Sequence, residues 1–226
     1  MKRLICILIF LFSLADLSAQ IFKQNYSWQY EGKKYSTELI LNTRTYNYYK
    51  HYEKRLLFTR EQVFENLLTI KDNDNLIRML CEKLKILARK NKISDDKLPE
   101  LAAAFVQYIP YDSAKASKIL AEKWDSDTDL YFHYETLYLG RGVCTDKSIL
   151  LVSILQYFGY GSSLVLMNSE HHAAAAIYSD ISGINKTPYL YIETTAPAPI
   201  GFIPNGIDIS KAEIIRKRTG KIYEKK

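Results

Sequence analysis

From residue 60 onward, apolar positions recur at helical spacing: Val63, Leu67, Leu68 and Ile70, then Ile77, Leu80, Cys81, Leu84 and Leu87. Cys81 falls on that stripe, which reads as a small buried hydrophobe. Ser94-Asp95-Asp96 starts a further helix, LPELAAAFVQYI, and Pro110 stops it. A polar connection with few signals covers 111–135. Ile149, Leu150, Ile154, Leu155 and Phe158 then make a helical face after Cys144, closed by Gly159 and Gly161. The pattern next changes to short strand-like runs: SLVLM at 163–167, HHAAAAIY at 171–178 and YLYIETT at 189–195. Nearer the amino end, YSWQYEGKKYSTELILN reads as two strands flanking the turn at Glu31-Gly32-Lys33-Lys34. TYNYYKHYEKRLLF continues in a strand-like register, which makes 26–58 an accessory β region.

The first twenty residues have a different character. Lys2 and Arg3 precede an uncharged, mostly apolar run from Leu4 to Ala15, and small residues Ser18 and Ala19 precede Gln20. This is the layout of a secretory signal peptide, with 1–19 removed, and the run is short for a permanent span. No later stretch is long and apolar enough for an integral membrane span, so the expectation is an exported chain, periplasmic or secreted. The remaining divisions are a β-hairpin and helical extension at 20–110, a core at 111–204 and a solvated tail at 205–226.

Charge adds little. Lys and Arg number 31 against 25 Asp and Glu, an excess spread along the chain that gives no reason to expect a nucleic-acid partner. The 18 tyrosines suit strand faces; those at 46, 48, 49 and 52 read as half-buried faces in preference to a ligand platform. Cys81 and Cys144 are the two cysteines after the leader, enough for one disulfide at most, so packing must hold the core.

The candidate chemistry lies between Gly140 and Thr195. Cys144 opens a helix, where unpaired N–H groups and the helix dipole favour a thiolate. Gly140 and Gly142 before it let a substrate backbone come close. If 171–178 and 189–195 form a hairpin about Ser182-Gly183, His172 falls opposite Glu193, Ala174 opposite Tyr191 and Ala176 opposite Tyr189. A carboxylate at one ring nitrogen fixes the histidine tautomer and supports an imidazolium. His171 points to the other face, and His51 and His133 lack ligand spacing, so neither metal nor cofactor is expected. Asp146 reads as satisfying the first helical turn, and Lys147 as solvated, with the alternative that its charge helps the thiolate. From these residues alone two alternatives stay open: a Cys-His-acid site, or a structural cysteine beside a surface hairpin.

Several stretches resemble the bacterial transglutaminase-like family of the papain-like cysteine-protease superfamily. They are FVQYIPY at 105–111, ETLYLGRGVCTDKSILLVSILQYFGYGSSLVL at 135–166, HHAAAAIY at 171–178 and YLYIETTAPAPIGFIP at 189–204. The resemblance implies an α+β, papain-like, transglutaminase-core fold in which one long helix packs on an antiparallel sheet, with an N-terminal β/helical extension. It implies Cys144 as nucleophile, His172 as general base and acid, and Glu193 as the group orienting His172. Many members carry Asp-Pro-Thr where this chain has Glu193-Thr194-Thr195. The backbone N–H of Cys144 is the natural oxyanion donor, with Gln107 and Tyr111 as side-chain candidates. The implied activity is acyl transfer from a peptide or protein substrate, as a cysteine peptidase or amidase or as a protein-glutamine acyltransferase. The alternative is a non-catalytic module binding a peptide or protein partner; the intact Cys144, His172 and Glu193 argue against it.

Overall fold

The computed structural model describes residues 20–52, 59–69, 75–121, 130–215 and 220–225; the leader at 1–19 lies outside them. The chain opens with a hairpin, β1 (Ile21–Tyr30) and β2 (Lys33–Asn42), paired in register from Ile21↔Asn42 to Tyr30↔Lys33. Its two-residue turn is Glu31-Gly32, both at positive φ (48° and 74°), the twist that matches right-handed strands. Trp28 is buried edge-on against Phe105, with ring centroids 5.2 Å apart, which fastens the hairpin to the helices behind it.

The expected continuation of strand after residue 42 is wrong. Residues Thr43–Lys50 form a helix, α1. Asn42 caps it, its side-chain oxygen accepting from the Arg44 N–H at 2.7 Å and the Thr45 N–H at 3.3 Å. That local cap outweighs the strand preference of the tyrosines. Tyr46 stacks on Tyr138 at 4.0 Å and buried Tyr49 on Tyr134 at 5.5 Å, so these rings pack helix on helix. The expected strand through 53–58 lies outside the described residues.

Helices α2 (Arg60–Leu67), α3 (Asn75–Lys90) and α4 (Leu98–Gln107) follow, where apolar spacing predicts them. Cys81 is fully buried on α3 between Ile77, Leu80 and Leu84. A single turn of 3-10 helix at Asp95–Lys97 leads into α4, whose own start carries Pro99 in its first turn. Among the described residues of 111–135, where a connection with few signals was expected, lie α5 (Ser113–Ala121) and the start of α6 (His133–Leu139).

Helix α7 (Cys144–Tyr157) is buried along most of its length and lies on a four-stranded antiparallel sheet. The sheet runs β5 (Tyr189–Ile192), β4 (His172–Tyr178), β3 (Ser162–Met167), β6 (Glu213–Ile215). One sheet face, with Leu164, Leu166, Ala173, Ala175 and Ile177, joins the main core with α3, α4 and α7. The other, with Val165, Met167, Ala174, Ala176 and Tyr191, is covered by Ile203, Ile207 and Ile209. Burial on both faces explains why these strands read as continuous apolar runs without alternation. This is the α+β architecture expected, with one correction. The tail is not solvated: β6 pairs with β3, and Tyr223 is buried with its N–H donating to the Tyr178 carbonyl at 2.9 Å.

Candidate active site

The nucleophile candidate sits at a buried helix start. Cys144 is the first residue of α7, and its N–H has no acceptor within the helix. Asp146 closes that first turn, as expected: its Oδ2 accepts the Val143 N–H at 3.0 Å. The same carboxylate accepts the Tyr131 N–H at 2.8 Å and the Lys115 ammonium at 2.7 Å, which ties two further segments to the start of α7.

The glycines before Cys144 serve the fold. Gly140 ends α6 at φ 62°. A Cβ on Gly142 would stand 2.9 Å from the Asp146 Cβ, so Asp146 can reach its partners only over a glycine. Gly142 is also engaged in sheet-like bonds around Tyr111, donating to the Pro110 carbonyl at 3.2 Å and accepting from the Asp112 N–H at 3.2 Å. The expected room for a substrate backbone at these glycines is filled by the protein itself.

His172 opens β4 and Glu193 follows β5. The ladder pairs Ala176 with Tyr191 and Ala175 with Ile192, two residues away from the register centred on Ser182-Gly183. The expected pairs, Ala174 with Tyr191 and Ala176 with Tyr189, are therefore wrong. A slip of two preserves the face on which each side chain stands, and His172 and Glu193 become diagonal neighbours. Nε2 of His172 lies 3.0 Å from Oε2 of Glu193. His171 is not in the strand: it caps the preceding 3-10 turn in the left-handed region at φ 46°.

Glu193 is buried and fully engaged. Its Oε1 accepts the N–H groups of Thr194 at 2.9 Å and Thr195 at 2.8 Å, and the Thr195 hydroxyl at 2.6 Å. Its Oε2 accepts the Tyr191 hydroxyl at 2.7 Å beside the His172 contact. Burial alone would raise its pKa, but the bonds from His172, Thr195 and Tyr191 outweigh it and hold the carboxyl well below the usual range. For His172 the balance runs the other way. Burial disfavours the charged ring, yet the side-chain hydrogen bonds with Cys144 and Glu193 prevail and lift it to about 9. With Glu193 on Nε2, Nδ1 is the nitrogen left to act on the sulfur. The sequence-predicted trio is thus brought together.

Three supporting features were not legible in the sequence. The Ser148 hydroxyl donates to the Cys144 carbonyl at 2.7 Å and lies 3.0 Å from the Thr194 hydroxyl, which fixes the helix start to the acid-bearing segment. Lys147 is not solvated: it is fully buried, its ammonium donating to the carbonyls of Ile109 at 2.7 Å and Gln107 at 3.1 Å. Gln107 is not placed as an oxyanion donor. Its amide donates to the carbonyls of Glu193 at 2.9 Å and Ala198 at 2.8 Å. Tyr111 stays near the thiol; burial, then the charges of Cys144 and Asp146, push its hydroxyl up to about 12. A depression of about 30 Å³ beside Cys144 and His172 is lined by Met167, Asn168 and His171.

The transglutaminase-like domain family matches residues 77–200, more than half of the chain. The chain belongs to that family. The matched stretch of this transglutaminase-like protein takes in α3 and α4 as well as Cys144, His172 and Glu193. A solved structure described as a TGase is similar at 22% identity and a TM-score of 0.39, covering 82% of this chain and 46% of the other. The chain thus spans less than half the length of that protein. No curated protein matches. No helix among the described residues is long and apolar enough to cross a membrane.

Proposed function

We propose that this is an exported thiol enzyme that cleaves or transfers an amide or peptide bond through Cys144, His172 and Glu193. One observation carries the reading: a buried carboxylate 3.0 Å from one nitrogen of a ring that also hydrogen-bonds the first side chain of α7. That is the order of contacts a nucleophile, a proton carrier and an orienting acid require.

The thiolate sulfur of Cys144 attacks the amide carbonyl carbon, and the π electrons move to oxygen. We assign the Cys144 N–H as a donor to that oxyanion, with the Tyr111 hydroxyl as the side-chain candidate. As the tetrahedral species collapses, the C–N bond breaks and the His172 imidazolium protonates the leaving amine. A thioester remains on Cys144. Water or a second amine then attacks it, His172 takes the incoming proton, and the C–S bond breaks to restore the thiolate. Water yields a peptidase or amidase and an amine yields a transamidase. In an exported protein water is always available as acceptor, which favours hydrolysis. Glu193 stays ionised throughout, holding the ring and balancing its charge.

The test is to trap the thioester. Peptide acyl donors from a fluorogenic and amine-incorporation screen are incubated with the protein, which is quenched in acid and read by mass at Cys144. An acyl adduct absent from Cys144→Ala is the expected result. Peptide binding without an adduct or turnover overturns the reading in favour of a non-catalytic binding module.

A further inference from the structure

Lys147 lies three residues after Cys144, on the same side of α7 one turn deeper. A buried ammonium is costly unless it is paired or well bonded. Among the described residues no acidic oxygen pairs with it directly. Its ammonium donates to the carbonyls of Gln107 and Ile109, at the end of α4. Carbonyls left unpaired there form the negative end of the helix dipole and suit a cation. Gln107 in turn passes its side-chain N–H groups to the carbonyls of Glu193 and Ala198. The nucleophile's helix is thereby linked through α4 to the segment that carries the acid.

We infer that Lys147 is a positioning residue, whose buried ammonium braces the end of α4 beneath the nucleophile and whose fixed positive charge favours the anionic forms of Cys144 and Glu193. The inference rests on reading Cys144 as the reactive thiol. Four ionisable side chains share the surroundings of Cys144 from the elements around it: His172 on β4, Tyr191 on β5, Tyr111 after α4, and Lys147 on its own helix. Glu193 faces both His172 and Lys147. Of these, His172 and Lys147 are the cations, and His172 alone moves a proton in the reaction. Burial lowers the Lys147 amine to about 8, while Glu193 and then Cys144 pull it upward. By reciprocity the ammonium favours their negative charge.

The experiment is the pH dependence of iodoacetamide alkylation at Cys144, followed by peptide mass mapping in the Cys81→Ala background. It compares the parent with Lys147→Met, which removes both donors and charge, and Lys147→Gln, which keeps a donor without charge. Circular dichroism checks folding in each. Removing the charge is expected to raise the midpoint of the rate profile by roughly 0.5–1 pH unit, slowing alkylation about three- to tenfold at pH 6. A purely structural lysine would change the melting temperature and leave that midpoint in place. An unmoved midpoint in folded Lys147→Gln overturns the inference, as does failure of both variants to fold, which would assign Lys147 to the fold alone. Alkylation needs no substrate. A shifted midpoint with no trapped thioester therefore sinks the proposed enzyme and spares Lys147, and the opposite pair of results does the reverse.

Discussion

Replacing Glu193 with Gln is nearly isosteric, yet the bonds around it decide which way the amide must lie. Three donors converge on Oε1: two backbone N–H groups and the Thr195 hydroxyl. The amide oxygen must occupy that end, because an NH₂ there would face donors only. The NH₂ is then forced toward Nε2 of His172, and a donor facing that nitrogen selects the ring protonated on Nδ1. That is the wrong tautomer for taking a proton from sulfur. The charge matters too. His172 is held at about 9 against an ordinary 6.5, a difference worth about 3 kcal/mol at roughly 1.36 kcal/mol per pH unit. Cys144 and Glu193 produce the rise between them. Without the carboxylate, ring protonation should fall by roughly an order of magnitude. Tautomer and charge together predict a turnover loss on the order of 10²–10⁴-fold, without loss of fold. The direct assay is an NMR titration of the His172 ring in Cys144→Ala, with and without Glu193→Gln. The midpoint should fall to 6.5 or below when the carboxylate goes. A midpoint that stays put would show that Glu193 neither orients nor charges the ring, and the acid would have to be sought elsewhere.

Three further outcomes are expected. His172 holds its proton up to about 9 when folded and about 6.5 when free; its contribution to stability is full below 6.5 and is lost as pH rises through 9. Lys147, at about 8 folded against an ordinary 10.5, gives the opposite slope between those values, and urea midpoints from pH 6 to 10.5 in His172→Gln and Lys147→Met would show each slope vanish in its own variant. Cys81 is fully buried and burial pushes its thiol up, so a thiol reagent should modify Cys144 in the native protein and Cys81 only on unfolding; rapid native labelling of Cys81 would contradict its place in the core. Gly142→Ala brings a Cβ to 2.9 Å from the Asp146 Cβ and 3.2 Å from Thr136 Cγ2, and should cost about 1–3 kcal/mol in thermal melts, whereas an unchanged melt would mean the loop yields freely.

What the sequence made legible were features with strong local causes. Helix α7 combined a buried apolar face with a glycine stop, and β3, β4 and β5 were uninterrupted apolar runs. Their register was two residues off because the connecting loop is asymmetric, folding through a 3-10 turn at Ile184–Lys186 with Asn185 in the left-handed region. Even so, His172 and Glu193 met, since an even slip keeps the face. Helix α1 was missed because one capping side chain, Asn42, decides it against a tyrosine-rich preference. Helix α5 buries no residue fully, so it has no apolar stripe to read. Lys147 and Gln107 were misread for a common reason. A charged or amide side chain shows its acceptors only once distant carbonyls are in place, and theirs lie 38 to 91 residues away.

Strand β6 has a consequence for how such a chain can be cut or made. It pairs with β3 through Leu164↔Ile215 to Leu166↔Glu213, and Tyr223 bonds across to Tyr178 and Ser179. Until residues 203–223 are synthesised, β3 is an open edge with unpaired N–H and C=O groups, and Val165, Met167 and Ala174 lack their cover. An apolar, uncharged edge of that kind recruits another chain's strand. The family match ends at residue 200, yet a fragment trimmed there would expose that template and aggregate. Strand β6, with Ile203, Ile207, Ile209 and Tyr223, acts as an edge guard for the sheet that carries the site, and ribosomal order adds that guard after β3, β4 and β5.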